Sequence, residues 1–382
     1  MTLRPLYRSK DNEDTEVGVI VTYRFPEPVF LRGRCAGARF LLRVLLLLVI
    51  PALLRAQTPD AERPVPILTG SAGYFTNVYG GEKELVPQIN PVVLVPLGDR
   101  WLVEARGEFK GEFERSEDGG PYGGKVEKEL DYLQVDYIAN PYVTVTAGRF
   151  LTPFGIFNER LYPIWIRSLQ DTPLIFPVGT GSSDGVMLRG GFPVSSKVNL
   201  NYAGYFSAAS TVNQFESDRL AGGRVGFFLP GPRLEVGASW QKLLQEDRGQ
   251  SAGFHFAWQP APLPLNLRSE YAWSKDASGY WIEAAYRLSQ IPFCQRVMRH
   301  TEMVGRAQQL FAGEIEEEEA EEYGLPDVDT QQMDFGLNYY LKDGLKATAS
   351  YGRRFSPDGN FNLWTVGIAY RFAVPLGRVG GQ

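Results

Sequence analysis

Charged side chains gather around one long apolar segment of the chain, residues 152–184. They stand in the segment or a few positions outside it, and they are Arg149, Arg160, Arg167, Asp171 and Arg189. Fixed charges that line a narrow passage attract ions of one sign and repel ions of the other. We therefore interpret these five residues as candidates for a charged constriction, provided that the segment lies inside a water-filled wall.

The segment itself is far longer than an ordinary connection, and such connections are usually functional or disordered. Its Phe, Ile, Leu and Trp residues argue against disorder, because an apolar chain of this kind seeks a packed site. We expect the segment to fold inward and to narrow a lumen. An external cap or an oligomer contact is the alternative.

Two predicted strands flank the segment on its N-terminal side. Residues 130–138 read LDYLQVDYI, Asn140-Pro141 forms a minimal turn, and residues 142–150 read YVTVTAGRF. Apolar and polar residues alternate through both, which is typical of strands with a different solvent on each face. The same alternation predicts lumen-facing side chains on other strands, among them Arg106, Arg224, Arg268, Glu104, Glu108 and Asp136.

The unit of strand, short turn, strand and long connection recurs along the chain. Short turns are predicted at Gly98-Asp99, Asn140-Pro141, Pro193-Val194, Pro230-Gly231-Pro232, Pro260-Ala261, Ile291-Pro292 and Asp343-Gly344. Long connections are predicted at 114–126, 152–184, 207–219, 243–250, 275–278, 304–331 and 355–360. This alternation predicts an all-β fold, a transmembrane antiparallel β-barrel of about 16 strands with short periplasmic turns and long external loops. A soluble β-sandwich or a lipocalin-like barrel is the alternative.

Residues 1–56 are predicted to be a leader, and residues 57–382 the barrel. The run FLLRVLLLLVIPALL at 40–54 follows Arg32, Arg34 and Arg39, as in a secretory signal peptide, and we place the cleavage after Ala56. A buried or membrane helix is the alternative. Residues 1–30 carry acids that a signal peptide avoids, so we hypothesise a start near Val29 or Leu31.

Charge is concentrated in the predicted loop 304–331, which holds nine acids and one base. Outside this loop and the leader, 29 basic residues face 30 acidic ones, so the local placement of charge must set any selectivity. The two cysteines, Cys35 and Cys294, form no disulfide framework. Two histidines are too few for a His-rich metal site, and we expect neither a metal nor a cofactor.

The phrase Ala147-Gly148-Arg149-Phe150-Leu151-Thr152-Pro153-Phe154-Gly155 resembles the strand-to-loop motif G-(R/K)-F-x-x-P-F-G of the phosphate-selective porin O/P-like family. The resemblance implies a 16-stranded, often trimeric, general or anion-preferring porin. In that family, dense arginine and lysine ladders select phosphate. The mixed lumen charge of this chain departs from that pattern and argues against phosphate as the solute.

The sequence thus predicts an outer-membrane porin that passes small polar or ionic solutes passively. A closed barrel with a structural or adhesive role is the alternative. An enzyme is not expected, because the chain lacks a Gly-x-Ser-x-Gly motif and has only two histidines. Expected partners are outer-membrane lipid, small polar solutes, a trimer by resemblance and the barrel-assembly machinery, which often reads an aromatic-ended final strand such as 362–372. No nucleic-acid partner is expected.

Overall fold

Sixteen antiparallel strands close into a barrel within the described part of the computed structural model, residues 65–115, 120–210, 217–245, 248–315, 320 and 323–376. The predicted leader, residues 1–56, lies outside these residues. The first eight strands are β1 (Ile67–Tyr79), β2 (Glu82–Leu97), β3 (Trp101–Arg115), β4 (Tyr122–Asn140), β5 (Val143–Leu151), β6 (Ser182–Ser195), β7 (Val198–Ser207) and β8 (Leu220–Leu229). The last eight are β9 (Leu234–Leu243), β10 (Gln250–Trp258), β11 (Leu265–Trp273), β12 (Ala277–Arg287), β13 (Thr301–Ala312), β14 (Thr330–Tyr340), β15 (Leu345–Ser356) and β16 (Gly359–Pro375).

Every strand pairs with its neighbours in the chain, and β1 pairs with β16 from Ile67↔Pro375 to Tyr79↔Leu363. This pairing leaves no free sheet edge among the described strands, so backbone N–H and C=O groups bond between strands. The predicted all-β barrel of about 16 strands is confirmed. Short helical pieces occur at Phe157–Leu161, Leu288–Gln290, Gln295–Met298 (α1) and Lys342–Gly344.

The two faces of the wall differ in polarity. On β14, Met333, Phe335 and Leu337 turn outward with 65%, 47% and 43% of their surface exposed, whereas Gln332 and Asn338 turn inward and are buried. The predicted alternation is therefore present, with an apolar exterior and a polar interior. This distribution suits an exterior in contact with lipid and an interior in contact with water.

None of the helices in the described residues is long and apolar enough to cross a membrane.

Two predicted connections differ clearly from the structure. Strand β13 occupies residues 301–312, so the acidic connection is 313–329 and not 304–331; its Glu316–Glu319, Glu321 and Glu322 lie outside the described residues. The outward side chains of β13 include Gly305, Ala307 and Gln309. Because these residues are small or polar, the sequence lacks the apolar alternation that would have predicted this strand. The connection at Ile291-Pro292 is not a short turn, because residues 288–300 form two helical turns.

Smaller differences occur at strand ends. Strand β6 continues past Pro193-Val194 through a register shift, so its turn is 196–197. Strands β3 and β4 shorten the predicted connection 114–126 to 116–121, and β6 begins at Ser182, so the long connection is 152–181. We call residues 152–181 the inward loop.

The inward loop folds into the barrel. Its buried Phe154, Ile156 and Phe157 join Leu174, Ile175 and Val178 in one apolar cluster. The wall completes this cluster with inward-facing residues of β11 to β13, namely Ala272, Ala277, Trp281 and Leu310. The inward fold expected from the apolar content of this loop is confirmed, because the wall supplies apolar side chains at the place where the loop needs them.

An arginine in place of Leu337, in the middle of β14, should lower the free energy of unfolding by about 2–4 kcal/mol, because its charge would face lipid. Thr144→Arg, on the lumen face of β5, is the matched control and should cost much less. Urea unfolding of both variants in lipid vesicles measures the difference. Equal losses would contradict the assignment of the two faces.

Candidate pore constriction

A carboxylate of the barrel wall anchors the start of the inward loop. The backbone N–H groups of Ile156 and Phe157 both donate to Glu270 Oε1, the second at 2.9 Å, and Trp281 Nε1 donates to Glu270 Oε2 at 2.9 Å. Gly155 has a φ of +61°, and a Cβ there would lie 2.2 Å from Glu270 Oε1. Glycine is therefore required at this position, because it lets the loop backbone approach the carboxylate.

A buried lysine anchors the middle of the loop. Lys346 Nζ on β15 donates to the carbonyl oxygens of Ile164, Trp165 and Arg167 at 3.1, 3.1 and 2.7 Å. Asn338 Nδ2 on β14 donates to Ser168 O at 2.8 Å. These side chains satisfy loop carbonyls that no neighbouring strand reaches, and so they fix the loop against the β14–β15 side of the barrel.

The end of the loop is held by strand β13. Arg306 Nη1 donates to Asp171 O at 2.8 Å, and Leu174 N donates to Gln308 Oε1 at 2.9 Å. Arg306 also pairs with Asp334 at 3.3 Å. The loop contacts the wall at β9 and at β11 to β15, so the lumen space that remains lies mainly beside β1 to β8.

Three of the predicted arginines meet in one polar cavity of about 440 Å³, which we call the inner cavity. Arg160 and Arg189 are partly exposed in it, and Arg224 is buried beside them. Glu159 accepts from Arg224 at 2.7 Å and from Arg189 at 3.3 Å, while Arg160 pairs with Glu235 at 2.8 Å.

Across the inner cavity stand Glu104, Gln134 and Thr144 of β3 to β5. The cavity thus has arginines on one side and a carboxylate on the other. A passing ion meets both signs of charge, and the exposed guanidinium groups offer donors to anionic solutes.

Two further predicted constriction residues, Arg167 and Asp171, line a second cavity of about 600 Å³, the outer cavity. Arg167 stacks on the ring of Tyr162 at 4.3 Å, and Tyr79 Oη donates to Asp171 Oδ1 at 3.0 Å. Desolvation inside the lumen raises the pKa of the Asp171 carboxyl and Asp334 raises it further, whereas Arg306 lowers it. Glu84, Glu108, Lys110 and Arg354 complete the charged lining.

A third cavity of about 560 Å³, the side cavity, lies between the other two along the flank of the loop. It shares Leu151 with the inner cavity and shares Tyr162 and Phe176 with the outer cavity. Its own lining includes Glu129 and Asp131 of β4. The three cavities therefore follow one another from the long-loop end of the barrel to the short-turn end.

The wall residues predicted to face the lumen do so, and most of them are paired within the wall. Arg106 pairs with Asp131 at 2.6 Å, and Arg268 pairs with Glu283 at 2.5 Å. Glu108 accepts from Asn90 at 2.6 Å, and Asp136 accepts from Thr146 at 2.5 Å. Arg224 and Glu104 differ, because they line the inner cavity.

Arg149 stands apart from the other four predicted constriction residues. Thr144 and Thr146 face the lumen, so Arg149 lies on the opposite register face of β5. It pairs with Asp184 at 2.9 Å and donates to Leu130 O at 3.0 Å. The two threonines made the side of Arg149 ambiguous in the sequence.

The sequence pattern did not indicate a role for Glu159 or Lys346, and it placed Arg306 in a loop. Glu159 precedes Arg160 directly, which offered only a weak signal. Lys346 lies between Leu345 and Ala347 at the start of a strand, so the alternation alone could have identified it as inward-facing. Within the described residues, no group of three or more His, Cys, Asp and Glu side chains is arranged to hold a metal ion.

No protein-family model and no curated protein matches the sequence. Solved structures do match. The high-pH structure of OprB from Pseudomonas putida aligns with a TM-score of 0.55 and 10% identity over 81% of this chain and 94% of that chain. OmpT, an outer membrane protein of Vibrio cholerae, aligns with a TM-score of 0.51 and 9% identity over 82% and 100%. The outer membrane channel DcaP of Acinetobacter baumannii aligns with a TM-score of 0.50 and 10% identity over 83% and 100%.

These similarities concern the fold. The closed 16-stranded antiparallel barrel of this chain is similar in fold to these proteins.

Lys346→Met should loosen the inward loop, because three buried carbonyl oxygens would lose their donor at roughly 1–3 kcal/mol each if water did not replace it. We expect a lower free energy of unfolding and faster amide exchange in residues 164–168, measured by hydrogen–deuterium exchange in vesicles. Lys342→Met, in an exposed turn, is the control and should leave the exchange of the loop unchanged. Slow exchange in both variants would show that Lys346 is not the anchor.

Asp171→Asn should gain stability relative to the parent as the pH rises. The folded-state pKa of Asp171 is raised above the ordinary value of about 3.9, so ionisation disfavours the folded parent from about pH 4 upward, and asparagine escapes this cost. Urea unfolding of both proteins between pH 3.5 and about pH 7.5 measures the difference. The same substitution at the exposed Asp327 is the control, and a pH-independent difference at Asp171 would contradict the expectation.

Proposed function

We propose that this protein is a passive diffusion channel of the outer membrane for small polar or ionic solutes. The observation that carries the proposal is the series of inner, side and outer cavities, which share lining residues and bear charged side chains. A barrel with an apolar exterior and a charged, hydrated passage suits diffusion without a bound cofactor. The similarity of the fold to OprB and to the channel DcaP supports the same conclusion.

The motif at 147–155 supports a more specific proposal about the kind of porin. Its resemblance to the phosphate-selective porin O/P-like family supports a trimeric porin. The aromatic-ended final strand predicted at 362–372 supports insertion by the barrel-assembly machinery. The lumen charges favour a general channel over a phosphate channel. The outer cavity carries Glu84, Glu108 and Asp171 against Lys110, Arg167 and Arg354, so its bases form no continuous ladder.

A closed barrel with a structural or adhesive role is the competing function, and the firmly anchored inward loop is the feature that favours it. Conductance in planar bilayers separates the two. Discrete current steps from the purified protein support the channel. Silence of the parent, with current steps only after deletion of residues 156–176, would support the closed barrel.

Replacing both exposed arginines of the inner cavity, as Arg160→Gln with Arg189→Gln, should shift ion preference toward cations. Glu104 and Glu159 in the cavity, and Glu235 once it has lost Arg160, would then outnumber the remaining Arg224. A unit charge about 4 Å from an ion contributes about 1 kcal/mol in water, so a several-fold change in the cation-to-anion permeability ratio is expected.

Reversal potentials in a potassium chloride gradient measure this ratio. Lys197→Gln with Arg100→Gln is the control, because both bases are exposed in short turns away from the cavity. An unchanged reversal potential in the inner-cavity variant would show that ions do not pass these arginines.

A further inference from the structure

The connection 288–300 between β12 and β13 is the longest described connection at the short-turn end of the barrel, and transport does not account for it. Its surface combines apolar and basic side chains. Phe293 is 70% exposed and Val297 47% exposed, and Arg296 and Arg299 are exposed beside them. The sequence from 288 to 300 contains neither Asp nor Glu.

Hydrogen bonds hold this connection in a defined shape. Met298 N and Arg299 N donate to Cys294 O and Gln295 O, both at 3.1 Å, and these bonds form the helical turn α1. Gln290 Nε2 donates to Pro262 O in the neighbouring connection at 2.9 Å. That neighbour adds Leu263, which is 47% exposed, to the same end of the barrel. The exposed apolar groups are therefore presented by a folded surface.

The end of the connection reaches the outer face of the wall. The ring centroids of His300 and Tyr339 lie 6.2 Å apart, and Thr301 Oγ1 donates to Val297 O at 3.1 Å. Both Tyr339 and Thr301 line an apolar groove of about 680 Å³ on the outside of the barrel. The small side chains of Ala347 and Ala349 leave this groove between larger outward residues, which are Tyr74, Leu337, Val366 and Ile368.

We propose that this groove and the connection beside it bind a phospholipid with an anionic headgroup. One acyl chain occupies the groove, and the phosphate lies at Arg296 and Arg299. Guanidinium groups bind phosphate through charge-assisted hydrogen bonds. Because residues 288–300 contain no acidic side chain, nothing in this segment repels a negative headgroup. Phe293 and Val297 enter the interfacial layer, where aromatic and apolar side chains are favourable beside basic ones.

The position of the groove indicates that a lipid acyl chain occupies it. The groove opens on the outward face of β1 and β13 to β16, which is apolar and turned to lipid, so acyl chains surround it. The basic residues come immediately before the strand that borders the groove, which places both binding elements at one end of the barrel. The proposal depends on the membrane barrel and not on solute passage, so its failure and that of the channel are separable.

A fluorophore on Cys294 tests the insertion. In the variant Cys35→Ser, Cys294 is the remaining cysteine, and it is exposed within the connection. The labelled protein is placed in vesicles of phosphatidylglycerol or of phosphatidylcholine with the same acyl chains. We expect quenching by lipids with a shallow spin label and protection from aqueous iodide. Full quenching by iodide without lipid quenching would overturn the proposal and would place the surface in water.

Retained lipid tests the headgroup and the groove separately. Native mass spectrometry of the detergent-released protein counts bound phosphatidylglycerol and phosphatidylcholine. Arg296→Gln with Arg299→Gln should lower retention of phosphatidylglycerol several-fold, and by more than retention of phosphatidylcholine, because the choline cation offsets the charge of the phosphate. Ala349→Phe, which fills the groove, should lower retention of both. Arg100→Gln with Lys197→Gln is the matched control, and parental retention in all three variants would overturn the proposal.

Discussion

A strand in lipid must give every backbone N–H and C=O group to another strand, because lipid offers no hydrogen bonds. The ring from β1 to β16 meets this requirement by closing on itself, and it thereby divides the side chains into an outer and an inner set. The outer set must be apolar. The inner set need not be apolar. The inner face of the wall can therefore carry the buried charged residues Arg106, Glu108, Arg268 and Lys346.

The inward loop also needs partners for its backbone N–H and C=O groups, but no neighbouring strand in the lumen supplies them. Wall side chains replace the missing strand partners: Glu270 accepts from loop amides, and Lys346 and Asn338 donate to loop carbonyls. The apolar side of the loop packs on Trp281 and Leu310. Backbone satisfaction and apolar burial thus act on the same segment, and together they fix the side of the lumen on which the cavities remain.

Period-two alternation was enough to predict the barrel and the approximate number of strands, because two solvents act on every strand. The inward loop was predicted from its length and its apolar content. The alternation failed where the contrast between faces was weak. Gly305, Ala307 and Gln309 concealed β13, and Thr144 and Thr146 obscured the side of Arg149. The meeting of Arg160, Arg189 and Arg224 over Glu159 could not be predicted, since it depends on the path of a loop that has no repeating pattern.

The charges of the interior fall into two kinds. The Arg106–Asp131, Arg268–Glu283 and Arg306–Asp334 pairs are almost fully enclosed by the wall, whereas the Arg160 and Arg189 side chains keep 38% and 45% of their surface open. Substitutions at these two kinds of site therefore differ in their cost to stability. Replacing one member of a wall pair leaves a buried charge without its partner and is strongly destabilising, whereas replacing an exposed arginine costs little. Over evolutionary time, such a barrel can diversify its permeation while its architecture stays the same.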